Sequence, residues 1–143
     1  MRAISGSVRP VTNEALFAIA EAKHHNVDFQ PLENCKSFTI QSKRCYIVLS
    51  SSLTRVGEKE ALAHELGHCE YGGFYNEYSS FDIRAKAERR ADKWSYSKLM
   101  PLCELKKAYR SGLSETWEIA DFFDVSCEYA VKAISFYQAL GLM

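Results

Sequence analysis

The residues best placed to do chemistry are His64, Glu65 and His68, in the run His64-Glu65-Leu66-Gly67-His68. In a helix, side chains four apart lie one turn apart on the same face. Both imidazoles can therefore reach one metal ion. Glu65 stands one position round, where its carboxylate can reach a water on that ion without ligating it. Two histidines, one further protein ligand and a water make the open coordination of catalytic zinc. The bland alternative is a helix with two solvated or core histidines. Leu62, Ala63 and Leu66 weaken it, because they bury part of the helix and a buried histidine without a partner is costly.

A third ligand must come from elsewhere in the chain. Cys69 and Glu70 adjoin His68 and would reach the same ion only under strain. Glu77 and Asp82 lie in or beside a polar, aromatic loop. Glu88 lies in the next predicted helix, which can return antiparallel to the first. Ala85, Ala87 and Ala91 are small enough to let the two helices pack closely. Asp92, one turn beyond Glu88, can accept the second ring N–H of a ligand histidine, His64 foremost, and fix its tautomer. Spacing favours Glu88 and leaves Glu77 and Asp82 open.

The elements that must hold these residues follow from periodicity and capping. A helix is predicted over 13–25, with Thr12 as N-cap. Two β-rich runs follow at 37–41 and 44–50, with Ser42-Lys43 as the hairpin turn. The motif helix is predicted over 57–71, closed by Gly72-Gly73. Asp82 caps a helix over 83–99, which ends before Pro101. The remaining predicted helices cover 102–110, 115–122 and 127–140, the last two capped by Ser114 and Ser126. His24 and His25 are expected to be solvated at the end of the first helix. The fold class is α+β: one mostly helical domain over 1–143, with a small antiparallel sheet near the N-terminus. A core over 1–100 carries the motif, and a helical segment over 101–143 follows.

Composition narrows the function. The chain has 143 residues, 47% of them hydrophobic and 25% charged, which is ordinary for one globular domain. Lys+Arg and Asp+Glu both number 18, so the basic excess of a general nucleic-acid binder is lacking. No run approaches the ~20 apolar residues that span a bilayer, and residues 1–10 show no secretory h-region. A cytoplasmic protein without a membrane partner is expected. The cysteines number 5, are widely spaced and form no Cys-x-x-Cys. They are expected to be reduced and packed as small hydrophobes.

Three stretches resemble the ImmA/IrrE family of metallo-endopeptidases of bacteria and their mobile elements. The first is Ala61-Leu62-Ala63 followed by the His64–His68 run. The second is Phe74-Tyr75-Asn76-Glu77-Tyr78-Ser79 with Phe81-Asp82-Ile83-Arg84, similar to the variant common in phages and integrated elements. The third is Glu88-Arg89-Arg90-Ala91-Asp92-Lys93-Trp94, continuing to Leu99-Met100-Pro101. The resemblance implies a zincin-like arrangement in which the motif helix packs on a helix carrying the third ligand. It implies metal ligands His64, His68 and Glu88, Glu65 as catalytic base, and Asp92 orienting a ligand. The metal would be Zn2+, with Mn2+ accepted by the same donors. The implied substrate is a partner protein, a helix-turn-helix repressor of a phage or integrated element.

Tyr71, Tyr75 and Tyr78 are near the motif in sequence, which makes them candidate donors to a developing oxyanion, but they are read as packing or loop residues. The segment from Trp117 to Ser126 and the helix after it resemble a helix-turn-helix. Val131, Ile134, Phe136 and Tyr137 make that last helix look like core, and it offers few of the Arg and Asn side chains a base reader needs. No direct nucleic-acid contact is expected. The alternative to an enzyme is a non-catalytic metal protein that binds a repressor or toxin partner. Glu65 weighs against it, since a structural site needs no base.

Overall fold

A computed structural model describes residues 10–41, 44–71, 75–76 and 78–143. The order of elements is α1 (Asn13–Ala22), β1 (Asn26–Gln30), β2 (Ser37–Gln41), β3 (Cys45–Ser50), α2 (Arg55–Tyr71), α3 (Phe81–Leu99), α4 (Leu102–Arg110), α5 (Thr116–Phe123) and α6 (Cys127–Ala139). An α+β chain, mostly helical with a small sheet near its N-terminus, is what the sequence predicts. The described residues cluster into two compact units, which divide after Ser95 within the span of α3.

In the unit over Thr12–Ser95, Thr12 caps α1 by accepting from the Ala15 backbone N–H at 3.1 Å, as expected. The helix ends earlier than predicted. His24 takes the left-handed conformation (φ 62°), which turns the chain away before residue 25. A strand absent from the sequence reading, β1, follows at once. Its five residues alternate weakly, and only Val27 and Phe29 mark its apolar face.

The sheet has the order β1-β3-β2. β2 pairs antiparallel with β3, Thr39 opposite Ile47, as the predicted hairpin requires. β1 pairs parallel with β3, Val27 opposite Ile47. The sheet is therefore mixed, not purely antiparallel as expected. The excursion through β2 supplies the long connection that a parallel pair needs. The turn placed at Ser42-Lys43 and the helix stop at Gly72-Gly73 lie outside the described residues.

Register sorts the side chains by face. Ser37, Thr39, Cys45, Ile47 and Leu49 share one face of the sheet, and Cys45, Ile47 and Leu49 are buried. Leu16, Ala20, Leu62, Ala63 and Leu66 from α1 and α2 are buried as well. α2 starts two residues earlier than predicted, where Thr54 Oγ1 accepts from the Gly57 N–H at 3.0 Å. α3 also starts early. Ser80, not Asp82, takes the capping role, its Oγ accepting from the Ile83 N–H at 3.3 Å.

The expectation of reduced cysteines packed as small hydrophobes is corrected at all five positions. Cys45 and Cys69 are joined in a disulfide between β3 and α2. Cys35, Cys103 and Cys127 are free and exposed.

The unit over Tyr96–Met143 is helical. Leu105, Ala108, Ile119, Ala120, Phe123 and Val125 are buried in it. α5 begins with a capping box in which Glu115 and Glu118 each serve the other's backbone N–H, so Glu115 replaces Ser114 as its cap. Asp124, left-handed at φ 54°, turns the chain into α6. Ser126 caps α6 as predicted. Tyr137 is buried and donates to the Met100 carbonyl at 2.8 Å. Val131, read as core, is half exposed instead, on the outer side of α6. No helix among the described residues is long and apolar enough to cross a membrane.

Candidate metal centre

The site is built where α2 and α3 come together. Gly67 makes that approach possible. A Cβ added there would lie 2.6 Å from the Ala91 carbonyl oxygen and 2.8 Å from the Ala91 Cα. No side chain fits, so glycine at the fourth position of the motif is a steric requirement. Ala87 and Ala91 are buried on the α3 side, as their size suggested.

This contact brings three predicted residues to one place. His64 Nε2 lies 2.8 Å from Glu88 Oε2, and His68 Nε2 lies 3.4 Å from Glu88 Oε1. The donor atoms of His64, His68 and Glu88 all fall within 4.8 Å of one another. Among the described residues Asp82 is not part of this cluster, and Glu77 lies outside the described residues. Two imidazoles and a carboxylate are a donor set that borderline divalent cations accept.

Asp92 occupies the position expected of it. Its Oδ1 lies 3.0 Å from His64 Nδ1. A carboxylate can only accept, so Nδ1 carries the hydrogen and Nε2 faces Glu88. Burial works to lower the pKa of His64, but the hydrogen bonds it donates to Asp92 and Glu88 and the charge of Glu65 push it up to about 10. The Glu88 carboxyl is held far below the usual carboxylate range, first by its hydrogen bond with His64 and then by that with His68. In the metal-free chain a proton on His64 thus sits between two carboxylates. The two carboxylates favour positive charge on the ring between them.

Glu65 is buried and points to the sheet. Ser37 Oγ donates to its Oε2 and Thr39 Oγ1 to its Oε1, both at 2.7 Å. The period of two places both hydroxyls on one face of β2, an edge strand. They hold both oxygens of the carboxylate in a fixed plane.

A pocket of about 440 Å³ opens between β2 and the helices. Lys36, Ser37, Phe38 and Thr39 line one side. His64, Glu65, His68, Glu88 and Tyr75 line the other. Tyr75, read as a packing or loop residue, is a site residue: its hydroxyl donates to Glu88 Oε1 at 2.5 Å. That bond, foremost, together with burial, pushes the phenol up to about 12, so it remains a neutral donor. The sequence passes over Ser37 and Thr39, and leaves Tyr75 as packing, because hydroxyl residues at these positions carry no spacing signal. A Ser-x-Thr pair on a strand edge becomes meaningful only once the register against α2 is known.

The sheet also corrects the reading of His25. It is half-buried, and its Nδ1 accepts from the Cys45 backbone N–H at 3.3 Å. Burial, and then the neighbouring charge of Lys23, lower its pKa.

No curated protein matches the chain in sequence. The family model described as the IrrE N-terminal-like domain, of the M78 peptidases, matches residues 21–135. That span takes in β1 to β3, the motif helix α2, the Glu88 helix α3 and most of the helical segment that follows. The chain is a member of the IrrE N-terminal-like, or ImmA/IrrE, family of peptidases.

Proposed function

We propose that the chain is a zinc-dependent endopeptidase of the gluzincin type, with His64, His68 and Glu88 as ligands and Glu65 as catalytic base. The substrate is a peptide bond in a partner protein, a helix-turn-helix repressor of a phage or integrated mobile element, met in the bacterial cytoplasm. The observation that carries the reading is the convergence of the three donors within 4.8 Å, with a buried carboxylate on the same pocket wall.

A zinc ion held there supplies Lewis acidity to a water and to the scissile carbonyl. The rest falls to the chain. Glu65 takes the proton of the attacking water and passes it to the leaving amine. Ser37 and Thr39 keep its carboxylate in place through that exchange. Asp92 keeps His64 in the tautomer whose Nε2 can ligate. Among the described residues no strand pairs with the outer edge of β2, which runs along the pocket and suits an extended substrate that can add to it as a further strand.

The test is metal content together with cleavage. The purified chain should hold about one zinc, and His64→Ala should lose it. Glu65→Gln should keep the metal and lose cleavage of a candidate repressor by at least about a hundredfold. A chain that binds no zinc overturns the metal reading. A Glu65→Gln variant with unchanged function overturns the enzyme reading in favour of a binding protein.

A further inference from the structure

A second cluster of metal-capable or redox-capable side chains lies apart from the His64 group. Cys45 Sγ, Cys69 Sγ and a ring nitrogen of His25 fall within 4.8 Å of one another. Cys45 is the first residue of β3, and Cys69 follows His68 directly in α2. Their Cα atoms are 6.1 Å apart, within the range a disulfide spans without backbone movement. The two sulfurs differ in access. Cys45 is 4% exposed, while Cys69 is only half-buried. The left-handed turn at His24 brings His25 against the pair.

We propose that Cys45 and Cys69 are a site of reversible oxidation by small disulfides, a dithiol when reduced and a covalent tie between β3 and the motif helix when oxidised. Disulfides inside cells are mostly transient or redox-sensing, which suits a pair beside a functional site. The effect on metal retention rests on the function proposed above; the thiol chemistry does not.

The exchange balances as follows. The accessible Cys69 sulfur attacks one sulfur of a small disulfide RS–SR, forming a mixed disulfide and releasing RSH. The buried Cys45 sulfur then attacks the Cys69 sulfur and releases the second RSH. The protein's two thiols lose two electrons and two protons, and the small disulfide gains both. The proton of each attacking thiol leaves with a released RSH.

The bond closes a loop of sequence separation 24. That loop contains His64, Glu65 and His68. Closing it removes freedom from the unfolded chain and favours folding on the order of a hundredfold. The tie acts on the segment that carries the histidine ligands and the base.

The experiment uses the full chain with C35S, C103S and C127S, so that only the pair can react. It is incubated in reduced or in oxidised glutathione, and its thiols are counted with a maleimide. Both thiols should react in the first buffer and neither in the second. Returning the sample to reduced glutathione should restore them without unfolding. The oxidised form should melt higher by on the order of 10 °C, a difference that C69S removes. Zinc-loaded samples should lose their metal to a chelator several-fold more slowly when oxidised.

Thiols that stay open in oxidised glutathione overturn the proposal. So does a stable glutathione adduct on Cys69 that never closes onto Cys45. Zinc held by the reduced pair that blocks oxidation overturns it in favour of a Cys-Cys-His metal site. If the thiol count switches but neither form binds zinc, the redox pair stands and the metal reading fails.

Discussion

Gly67 and Ala91 are packed so closely that the two helices meet backbone to backbone. A methyl group on Gly67 would lie 2.6 Å from the Ala91 carbonyl oxygen, a backbone atom that cannot turn aside. The approach of the three donor groups depends on this contact, since His64 and His68 on α2 face Glu88 on α3 only while the axes stay this near.

Gly67→Ala should therefore push α3 away from α2. The expected loss of stability is about 1–3 kcal/mol from overpacking. Metal retention should fall with it, because a ligand displaced by even half an ångström leaves the range of a metal bond. Denaturant unfolding and metal content measure the two effects. A variant that folds and holds zinc like the parent would show that the helices can part without cost.

Ser37→Ala with Thr39→Val should separate holding the base from holding the metal. Both hydroxyls donate to Glu65 at 2.7 Å, one to each carboxylate oxygen. Zinc content should stay unchanged, and kcat should fall about tenfold or more while KM moves little, as the carboxylate loses its fixed plane. Equal losses in kcat and in metal content would point to general damage.

The sequence carried these two findings unequally. The spacing of His64 and His68 places them on one helical face without any tertiary knowledge, and the small residues around Glu88 made its approach foreseeable. The base's partners were hidden. Ser37 and Thr39 meet Glu65 through the register of β2 against α2, a long-range relation that no local pattern encodes. β1 was hidden for a related reason: its short run of weak alternation gains strand structure only by pairing with Ile47 and its neighbours on β3. The end of α1 depended on His24 accepting a left-handed backbone. Cys45 and Cys69 are too far apart in sequence to announce themselves as a pair.

Asp92→Asn should weaken metal binding through His64. The carboxylate fixes the hydrogen on Nδ1, and an amide can present either an oxygen or an N–H to the ring. Loss of this partner should lower zinc affinity about 10–100-fold while leaving the fold intact. Competition with a chromophoric chelator gives the affinity, and circular dichroism the fold. Unchanged affinity would mean that the ring is held by packing alone.

The stability of the metal-free chain should follow the titration of the same cluster. His64 is raised from 6.5 to about 10, so the folded state holds its proton more tightly than the unfolded state. That contribution is complete below pH 6.5 and is lost as pH rises towards about 10. Glu88 is lowered from 4.5, so its contribution is complete above pH 4.5 and is lost as pH falls below it. The two overlap between pH 4.5 and 6.5, where the metal-free chain should melt highest as far as this cluster decides. Metal binding must displace the His64 proton, so zinc affinity should rise about tenfold per pH unit up to the His64 pKa. Glu88→Gln should flatten the melting profile on both sides, because it removes one carboxyl and one of the three groups that raise His64. Melting curves across pH, with and without zinc, test both signs. A metal-free chain that grows more stable from pH 6.5 to 10 would contradict the charge arrangement of the cluster.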